Sequence, residues 1–185
     1  MIPRDIPDRI LESCAKYRTK NRFPALSYFD KITGCSIWRS SQSCQGILAQ
    51  RNEDDERVLL EVGRTNMYHP DNKLAIFDAR SWTVAQANRL KGGGLENVKY
   101  YTNCELMFCD IDNIHAVRDA YSKIIAIGQN GALKNPQRYL QEIDKSNYMH
   151  LASNILAAVN NILERILTQR QNVLVHCTDG WDRTA

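Results

Sequence analysis

The fold can be worked out from the segment Asn172-Val173-Leu174-Val175-His176-Cys177-Thr178-Asp179-Gly180-Trp181-Asp182-Arg183, where an apolar run leads directly into a polar loop. Residues 172–176 are apolar and rich in β-branched side chains, which predicts a strand in the middle of a covered sheet. The following loop separates a cysteine from an arginine by five residues. The sequence therefore predicts a central strand whose carboxyl end carries the loop.

Hydrophobic periodicity predicts alternating strands and helices before this junction. Residues 26–39 contain two short strand patterns around a glycine turn, as in a hairpin. An apolar strand pattern at 74–77 is followed by a helix over 81–90, and a second at 106–109 by a helix over 113–128. Two strand-helix units in succession favour a parallel or mixed sheet flanked by helices. The predicted fold class is α/β.

A longer helix is predicted between the second unit and the last strand. It covers residues 148–169, where apolar side chains recur at helical spacing. We expect this face to be packed core: Leu151, Ile155, Val159, Ile162 and Ile166.

Length and composition favour one domain covering residues 1–185. The chain is 43% hydrophobic and has a formal net charge of +3, too small for a dedicated nucleic-acid-binding protein. Residues 1–10 have no apolar core of a signal peptide, and no stretch is apolar over the ~18 residues that a membrane span needs. These observations predict a cytoplasmic protein without a nucleic-acid partner.

The six cysteines do not form a metal or disulfide pattern. No Cys-x-x-C occurs, and Cys104 and Cys109 are an odd number of positions apart in a predicted strand, so they should point to opposite faces. We interpret five of the six as small buried hydrophobic residues. Neither a metal site nor a cofactor is expected.

The sixth cysteine, Cys177, begins a loop suited to phosphoryl transfer. A phosphate monoester is dianionic, so an attacking thiolate needs surrounding positive potential. Five residues between Cys177 and Arg183 allow the backbone N–H groups of 178–183 to curl around the phosphate oxygens, and Gly180 allows the backbone angles of such a turn. The loop is therefore expected to form an anion-binding nest.

Arg183 is expected to complete this nest and Cys177 to act as the nucleophile. A planar guanidinium can hold two phosphate oxygens at once, whereas a lysine cannot. The same surroundings should lower the pKa of Cys177 from about 8.5 into the range ~3.5–7.5. The thiolate would then form a cysteinyl-phosphate that water later hydrolyses.

The leaving alkoxide needs a proton, and Asp179 and Asp182 are the carboxyl groups at hand. Spacing does not decide between them. Thr184 is a candidate hydrogen-bond partner of the Cys177 sulfur, and His176 a candidate to orient the loop. The Cys-x5-Arg spacing occurs by chance in unrelated proteins, so the preceding strand, the glycine and the flanking residues carry the interpretation.

The string His-Cys-Thr-Asp-Gly-Trp-Asp-Arg-Thr at 176–184 closely resembles the signature of the myotubularin-type phosphoinositide 3-phosphatases. Four further blocks resemble that family in the same order: 22–27, 76–80, 87–94 and 113–118. The resemblance thus extends over nearly the whole chain. It implies a cysteine-dependent phosphatase-like fold.

The resemblance also implies a reaction and a set of site residues. The reaction is removal of the 3-phosphate from phosphatidylinositol 3-phosphate and phosphatidylinositol 3,5-bisphosphate, with peripheral contact at cytoplasmic endosomal membranes and, through regions outside these residues, a family homo- or hetero-dimer. Cys177 would attack and Asp182 would be the acid. The residues implied at the substrate are Asn88, Asn113, Ile114, Thr178, Asp179, Gly180, Trp181, Asp182 and Arg183.

The 185 residues alone are expected to be nearly inactive and marginally folded. The family's phosphatase domain continues well past the signature, and its pleckstrin-homology-type domain lies outside this sequence. A helix expected after the loop would add its N-terminal dipole to the anion site. We further expect the central strand to lack covering neighbours.

Two other functions stay open at this stage. A protein-tyrosine or dual-specificity phosphatase shares the Cys-x5-Arg loop, although two acidic residues and Trp181 within the loop argue against it. An inactive binding member of the same family would lack Cys177 or Arg183, and both are present. The residues 1–185 could still act as a binding fragment.

Overall fold

A computed structural model describes residues 1–129 and 135–185 of the chain. Five strands form one sheet in the order β1-β2-β5-β3-β4. β1 pairs with β2 in antiparallel orientation, and the other neighbours are parallel. The predicted α/β class with a mixed sheet is therefore confirmed. The strands are β1 Ala25–Phe29, β2 Ser36–Ser41, β3 Leu74–Asp78, β4 Cys104–Phe108 and β5 Val173–Cys177.

Six α-helices and a 3₁₀ turn flank this sheet in the described residues. Asn52 and Ser81 cap two of them, because their side-chain oxygens accept hydrogen bonds from the backbone N–H of Asp55 and Val84. No helix in residues 1–129 and 135–185 has the length and apolar composition of a membrane span. The helices are α1 Asp8–Tyr17, α2 Glu53–Arg64, α3 Trp82–Arg89, α4 Ile114–Gln129, α5 Pro136–Lys145 and α6 Tyr148–Leu167, and the 3₁₀ turn is Thr19–Asn21.

β5 lies at the centre of the sheet, as its apolar sequence predicts. It pairs with β2 along 173–177 and with β3 along 173–176. Val173 and Leu174 are fully buried. The expectation that this strand lacks neighbours is therefore wrong, because the hairpin strand β2 covers one edge and β3 the other.

The core has one layer on each face of the sheet. On one face, α1 and α2 pack through residues such as Ile10 and Leu59 against Leu174. On the other face, Ile166 of α6 packs against Phe77. Cys104 belongs to the first layer and Cys109 packs against the second, so the predicted opposite orientation of the two cysteines is confirmed.

α6 is only partly the core helix that its pattern predicts. Leu151 and Ile166 are buried, but Ile155 and Val159 are exposed. The packing against the sheet comes from Ile162 and Ile166, near the carboxyl end of the helix. The middle of α6 therefore leaves its apolar face open in the described structure.

Candidate active site

The loop emerges at the carboxyl edge of the three central parallel strands. Cys177 is in register with Ser41 of β2, and His176 is in register with Asp78 of β3. The backbone N–H of Gln42 donates to the Thr178 carbonyl at 3.2 Å. Ligand sites of parallel sheets form at this edge, so the strand order places the loop where a ligand can approach.

The loop curls back on its own first residue. The Gly180 N–H donates to Cys177 Sγ at 3.3 Å, and the Cys177 thiol donates to Asp182 Oδ1 at 3.2 Å. Gly180 has φ +72°, and a Cβ there would overlap the carbonyl oxygen of Ser40. Only glycine fits this position.

Two arginines hold the outer side of the loop. Arg22 Nη1 donates to the carbonyl oxygen of Asp179, and Arg39 Nη2 donates to that of Gly180 at 2.9 Å. With these carbonyls tied from outside, the intervening N–H groups are free to face the sulfur side. Sequence reasoning missed both roles, and the one available signal was an arginine inside the otherwise apolar and small-residue strand β2.

Arg183 carries hydrogen-bond donors that the protein does not use. Its Nε and Nη1 atoms are buried and have no hydrogen-bond partner among the described residues. A buried charged donor without a partner is costly, and an anion placed between these nitrogens would remove that cost. The Thr184 hydroxyl is also unpartnered within residues 1–129 and 135–185, so its expected hydrogen bond to the Cys177 sulfur is not made.

The two candidate acids differ in their relation to the sulfur. Asp182 is the one whose carboxylate reaches Cys177 Sγ. Burial raises the pKa of Asp182, but the backbone N–H of Arg183, the Cys177 thiol and the Arg183 charge together hold this pKa below its usual range. Asp182 is therefore ionised at neutral pH when no phosphate is bound.

The residues expected around the substrate fall into two groups. Asn88 Nδ2 donates to Thr178 Oγ1 at 3.3 Å, which attaches α3 to the loop. Asn113 instead caps α4, with its Oδ1 accepting from the N–H of His115 and Ala116.

A cavity of about 260 Å³ opens beside the charged end of the loop. It has mainly apolar walls, and Ile155 of α6 is exposed because it lines this space. Its lining includes Ile111, Ile114, Val117, Ile155, Asp182 and Arg183. Trp181 points outward from the loop and is 64% exposed.

A buried ionic network lies beneath the loop. His176 Nε2 is 3.0 Å from Glu96 Oε2, although the groups are not aligned for a linear hydrogen bond. Arg18 donates to Glu96 and forms a bidentate pair with Asp55 at 2.6 and 2.7 Å. All four side chains are fully buried. The network ties the strand before the loop to α1 and α2.

The charges of this network sustain one another. Burial lowers the pKa of His176, but the charges of Glu96 and Asp78 outweigh burial and raise it above the ordinary value. Burial raises the pKa of Glu96, but His176 and Arg18 outweigh it and hold that pKa well below the usual range. The raised pKa of His176 favours its charged form beside Glu96, a pairing that the sequence did not indicate.

A second buried pair braces the neighbouring glycine turn. Arg80 forms a bidentate contact with Asp78 at 2.6 and 2.8 Å and also donates to Gln42 and to the Gly94 carbonyl. A Cβ at Gly93 would overlap the Gln42 amide. The close approach of backbone and side chain, and not only the end of α3, therefore requires glycine here.

The described residues do not bring together side chains that could hold a metal ion. Within 1–129 and 135–185, no three His, Cys, Asp or Glu side chains come close enough to hold an ion. All six cysteines are free thiols.

Comparison with known proteins identifies the family. Residues 1–185 match the family model described as the myotubularin-like phosphatase domain. The chain is 34% identical over its whole length to myotubularin of Xenopus laevis, where it covers 30% of that protein. It is 36% identical to phosphatidylinositol-3,5-bisphosphate 3-phosphatase MTMR3 of Caenorhabditis elegans and 35% identical to MTMR2 of Bos taurus, covering 18% and 28% of them. The chain therefore spans less than a third of these relatives, and it belongs to the myotubularin-like phosphatase family.

Proposed function

We propose that the protein is a phosphoinositide 3-phosphatase that removes the D3 phosphate from phosphatidylinositol 3-phosphate and phosphatidylinositol 3,5-bisphosphate. The observation that carries this proposal is the loop itself. Cys177 Sγ accepts the Gly180 N–H at 3.3 Å, while Arg183 buries two donors without protein partners. A nucleophilic sulfur and an unsatisfied guanidinium within one curled loop fit a phosphoryl group better than a neutral ligand.

The first chemical step moves one proton and one phosphoryl group. The Cys177 thiol passes its proton to Asp182, whose Oδ1 lies 3.2 Å from the sulfur. The thiolate attacks phosphorus, the S–P bond forms and the P–O bond to the inositol ring breaks. The proton on Asp182 goes to the departing inositol oxygen. The dianionic phosphate favours protonated Asp182 at this point, because a nearby like charge raises a carboxyl pKa.

The second step releases phosphate. A water molecule attacks the phosphorus of the cysteinyl-phosphate, and the Asp182 carboxylate takes one of its protons. The S–P bond breaks and Cys177 returns as a thiolate. Throughout both steps, Arg183 and the N–H groups of 178–183 hold the three equatorial oxygens, whose charge is highest in the transition state.

The choice of a lipid substrate rests on the relatives and on the surroundings of the loop. Two relatives are named phosphatidylinositol-3,5-bisphosphate 3-phosphatases. The cavity beside Arg183 has apolar walls from Ile114 and Val117, which suit the ring faces of an inositol. We propose that the protein acts at the cytoplasmic face of endosomal membranes, and as a family homo- or hetero-dimer.

The test measures which phosphate is released and by which residue. Purified protein is incubated with dioctanoyl phosphatidylinositol 3-phosphate, 4-phosphate and 3,5-bisphosphate, and with a phosphotyrosine peptide. Cys177→Ser and Arg183→Lys are the inactivated variants, and half-buried Cys44→Ser is the matched control. Products are measured in single turnover with protein in excess, so that slow release is also detected.

The proposal predicts phosphate loss from the two 3-phosphorylated lipids, with phosphatidylinositol 5-phosphate as the product of the bisphosphate. Cys44→Ser should behave as the unchanged protein, and Cys177→Ser should give no product. Faster release from the phosphotyrosine peptide than from either lipid would favour a protein phosphatase instead. Equal loss from the 4-phosphate would contradict the D3 assignment.

A further inference from the structure

A short turn next to the loop carries two apolar side chains with almost no protein around them. In the turn formed by residues 45–50, Ile47 is 66% exposed and Leu48 is 93% exposed. Leu90, on the neighbouring glycine turn, is 72% exposed. Adjacent aliphatic side chains held in water gain free energy from any apolar surface that covers them.

The base of this 45–50 turn is firmly held. The Gln50 N–H donates to the Gln45 carbonyl at 2.8 Å and closes the turn, and the Gly46 N–H donates to the Gly93 carbonyl at 2.9 Å. The Tyr17 hydroxyl donates to the Gln50 carbonyl at 2.5 Å. A tip that projects from a fixed base loses little conformational entropy when it enters another phase.

The 45–50 turn lies on the same edge of the sheet as the phosphate loop. The segment that leads into it begins at the carboxyl end of β2, where the Gln42 N–H donates to the Thr178 carbonyl. The glycine turn that supports it follows Asn88, whose amide also bonds Thr178. The exposed tip and the loop therefore face the same direction of approach.

Two of the three segments that meet at the tip carry basic side chains. Segments 16–22, 42–50 and 88–94 meet here, since the Cys44 N–H donates to the Tyr17 carbonyl and the Gly46 N–H to the Gly93 carbonyl. None of the three segments contains Asp or Glu. Acidic side chains lie on the side of the tip that faces α1 and α2, where Glu12 and Asp54 line a groove with Gln50. The basic residues outside the core in these segments are Lys16, Lys20, Arg22, Arg89 and Lys91.

We propose that Ile47 and Leu48 insert into the interface of an anionic lipid bilayer and thereby bring the phosphate loop onto a lipid that stays in the membrane. An aliphatic tip beside exposed Lys and Arg side chains complements such a surface, because acyl chains accept the tip and anionic head groups attract the charges. The choice of a bilayer over an apolar protein partner rests on the proposed phosphoinositide substrate.

Vesicle binding tests this proposal. Purified protein is titrated with phosphatidylcholine vesicles with and without phosphatidylserine, and the bound fraction is measured by sedimentation. The variants are Ile47→Ser/Leu48→Ser and, as a gain of interfacial affinity, Leu48→Trp. The matched control is Ile32→Ser, which is 87% exposed in the β1–β2 turn at the opposite edge of the sheet.

The double variant should bind phosphatidylserine vesicles about tenfold more weakly or worse, since two aliphatic side chains lose their burial. Leu48→Trp should bind more tightly and Ile32→Ser as the unchanged protein does. Equal binding by the double variant and the unchanged protein would overturn the proposal and leave the tip to a protein partner. An equal loss of vesicle binding in Ile32→Ser would also overturn the proposal.

Activity on two forms of the substrate separates this inference from the proposed function. The double variant should hydrolyse monomeric dioctanoyl phosphatidylinositol 3-phosphate normally but act about tenfold more slowly on the same head group in vesicles. Absence of hydrolysis in both forms with tip-dependent vesicle binding would refute the phosphatase proposal alone. Normal activity of the double variant on vesicles would refute the membrane tip alone.

Discussion

Cys177 and Arg183 lie in the same loop, but they differ in how many of their hydrogen-bonding atoms have partners in the protein. The sulfur already has partners in Gly180 and Asp182, whereas the Arg183 guanidinium keeps two buried nitrogens free of partners in the described residues. The nucleophile is therefore held in place before an anion arrives, and the strongest anion-binding group still has its donors available. Such preorganisation is what electrostatic catalysis requires.

The acid can be assigned by exchanging each carboxyl group for an amide. Asp182→Asn should lower kcat on phosphatidylinositol 3-phosphate by about 10²–10⁴-fold, because the leaving oxygen loses its proton donor. Asp179→Asn should have a much smaller effect, since the described contact of Asp179 to Arg22 is through its backbone carbonyl. The measurement is kcat and kcat/KM for both variants on the lipid and on an aryl phosphate with an acidic phenol.

A better leaving group needs no acid in the first step, so Asp182→Asn should recover much of its kcat/KM on the aryl phosphate. Loss of the same size on both substrates would indicate a structural role instead. A larger defect in Asp179→Asn than in Asp182→Asn, confined to the lipid, would assign the acid to Asp179.

Arg39 is expected to position the loop without touching the substrate. Arg39→Met leaves the Gly180 carbonyl without its 2.9 Å donor, and kcat should fall about ten- to a hundredfold as the loop loosens. Arg39→Lys can still donate one hydrogen bond and should restore part of the rate. Arg183→Lys should stay inactive, because bidentate binding of phosphate needs the guanidinium.

The measurement is kcat for Arg39→Met, Arg39→Lys and Arg183→Lys. Circular dichroism checks that each variant is folded. Partial activity of Arg39→Lys together with inactivity of Arg183→Lys would support a positioning role for Arg39 and phosphate binding by Arg183. Identical behaviour of lysine at the two positions would contradict it.

At the scale of elements, the glycine turn after α3 is expected to be sensitive to one added methyl group. Gly93→Ala would press its Cβ into the Gln42 amide, which cannot move freely because Arg80 binds it. Overpacking of this kind costs about 1–3 kcal/mol of unfolding free energy. Urea denaturation measures the change.

Gly128→Ala provides the matched control for the glycine turn. No atom lies within 4 Å of its added Cβ, and it is in α4, so alanine should stabilise by about 0.5–1 kcal/mol. Equal effects of the two substitutions would show that close packing does not require glycine at position 93.

Strands and helix starts were predictable because their signals are local. The apolar run of β5 lies where the sequence predicts it, and α3 begins after Ser81, within a residue of the predicted start of that helix. The exposure of Ile155 was not predictable, because it depends on which elements pack against α6. Helix α5 was not foreseen either, although Asn135 caps it and Pro136 begins it.

The residues of the candidate site were also predictable only where their signals are local in sequence. The loop residues follow one another in sequence, so spacing and chemistry identify Cys177 and Arg183 together. The residues that hold the loop are far apart in sequence: Arg22 contacts a carbonyl 157 positions away, and Arg18 meets Glu96 across 78 positions. No periodicity links such partners, and only the fold brings them together.

At the scale of the whole molecule, the buried ionic network joins distant parts of the chain. Arg18 follows α1, Asp55 belongs to α2, Glu96 follows the glycine turn and His176 belongs to β5. Breaking one member would leave an uncompensated buried charge, which is strongly destabilising. The network therefore couples the stability of the fold to the geometry of the loop.

Stability should depend on pH through His176. Its pKa is raised in the fold, so its contribution is complete below its unfolded pKa of about 6.5 and disappears as pH rises through the folded value. Glu96, with a lowered pKa, contributes above about pH 4.3 and loses its contribution as pH falls through its folded value. The pair should stabilise most between these two limits.

The measurement is the unfolding free energy of the unchanged chain and of His176→Gln across this range. Their difference should be greatest near the acidic side of neutrality and shrink as the solution becomes alkaline. Exposed His115→Gln should show no such change. A difference that is constant with pH would mean that His176 is not charged in the fold.

The covalent intermediate tests the phosphatase account most directly. Unchanged protein in excess is mixed with dioctanoyl phosphatidylinositol 3-phosphate, quenched with denaturant during the first turnover and digested for mass spectrometry. We expect a mass increase of one phosphoryl group on the peptide containing Cys177, and none when Cys177→Ser is added. A phosphoryl group on another residue, or release of inositol lipid that continues unchanged in Cys177→Ser, would contradict the account.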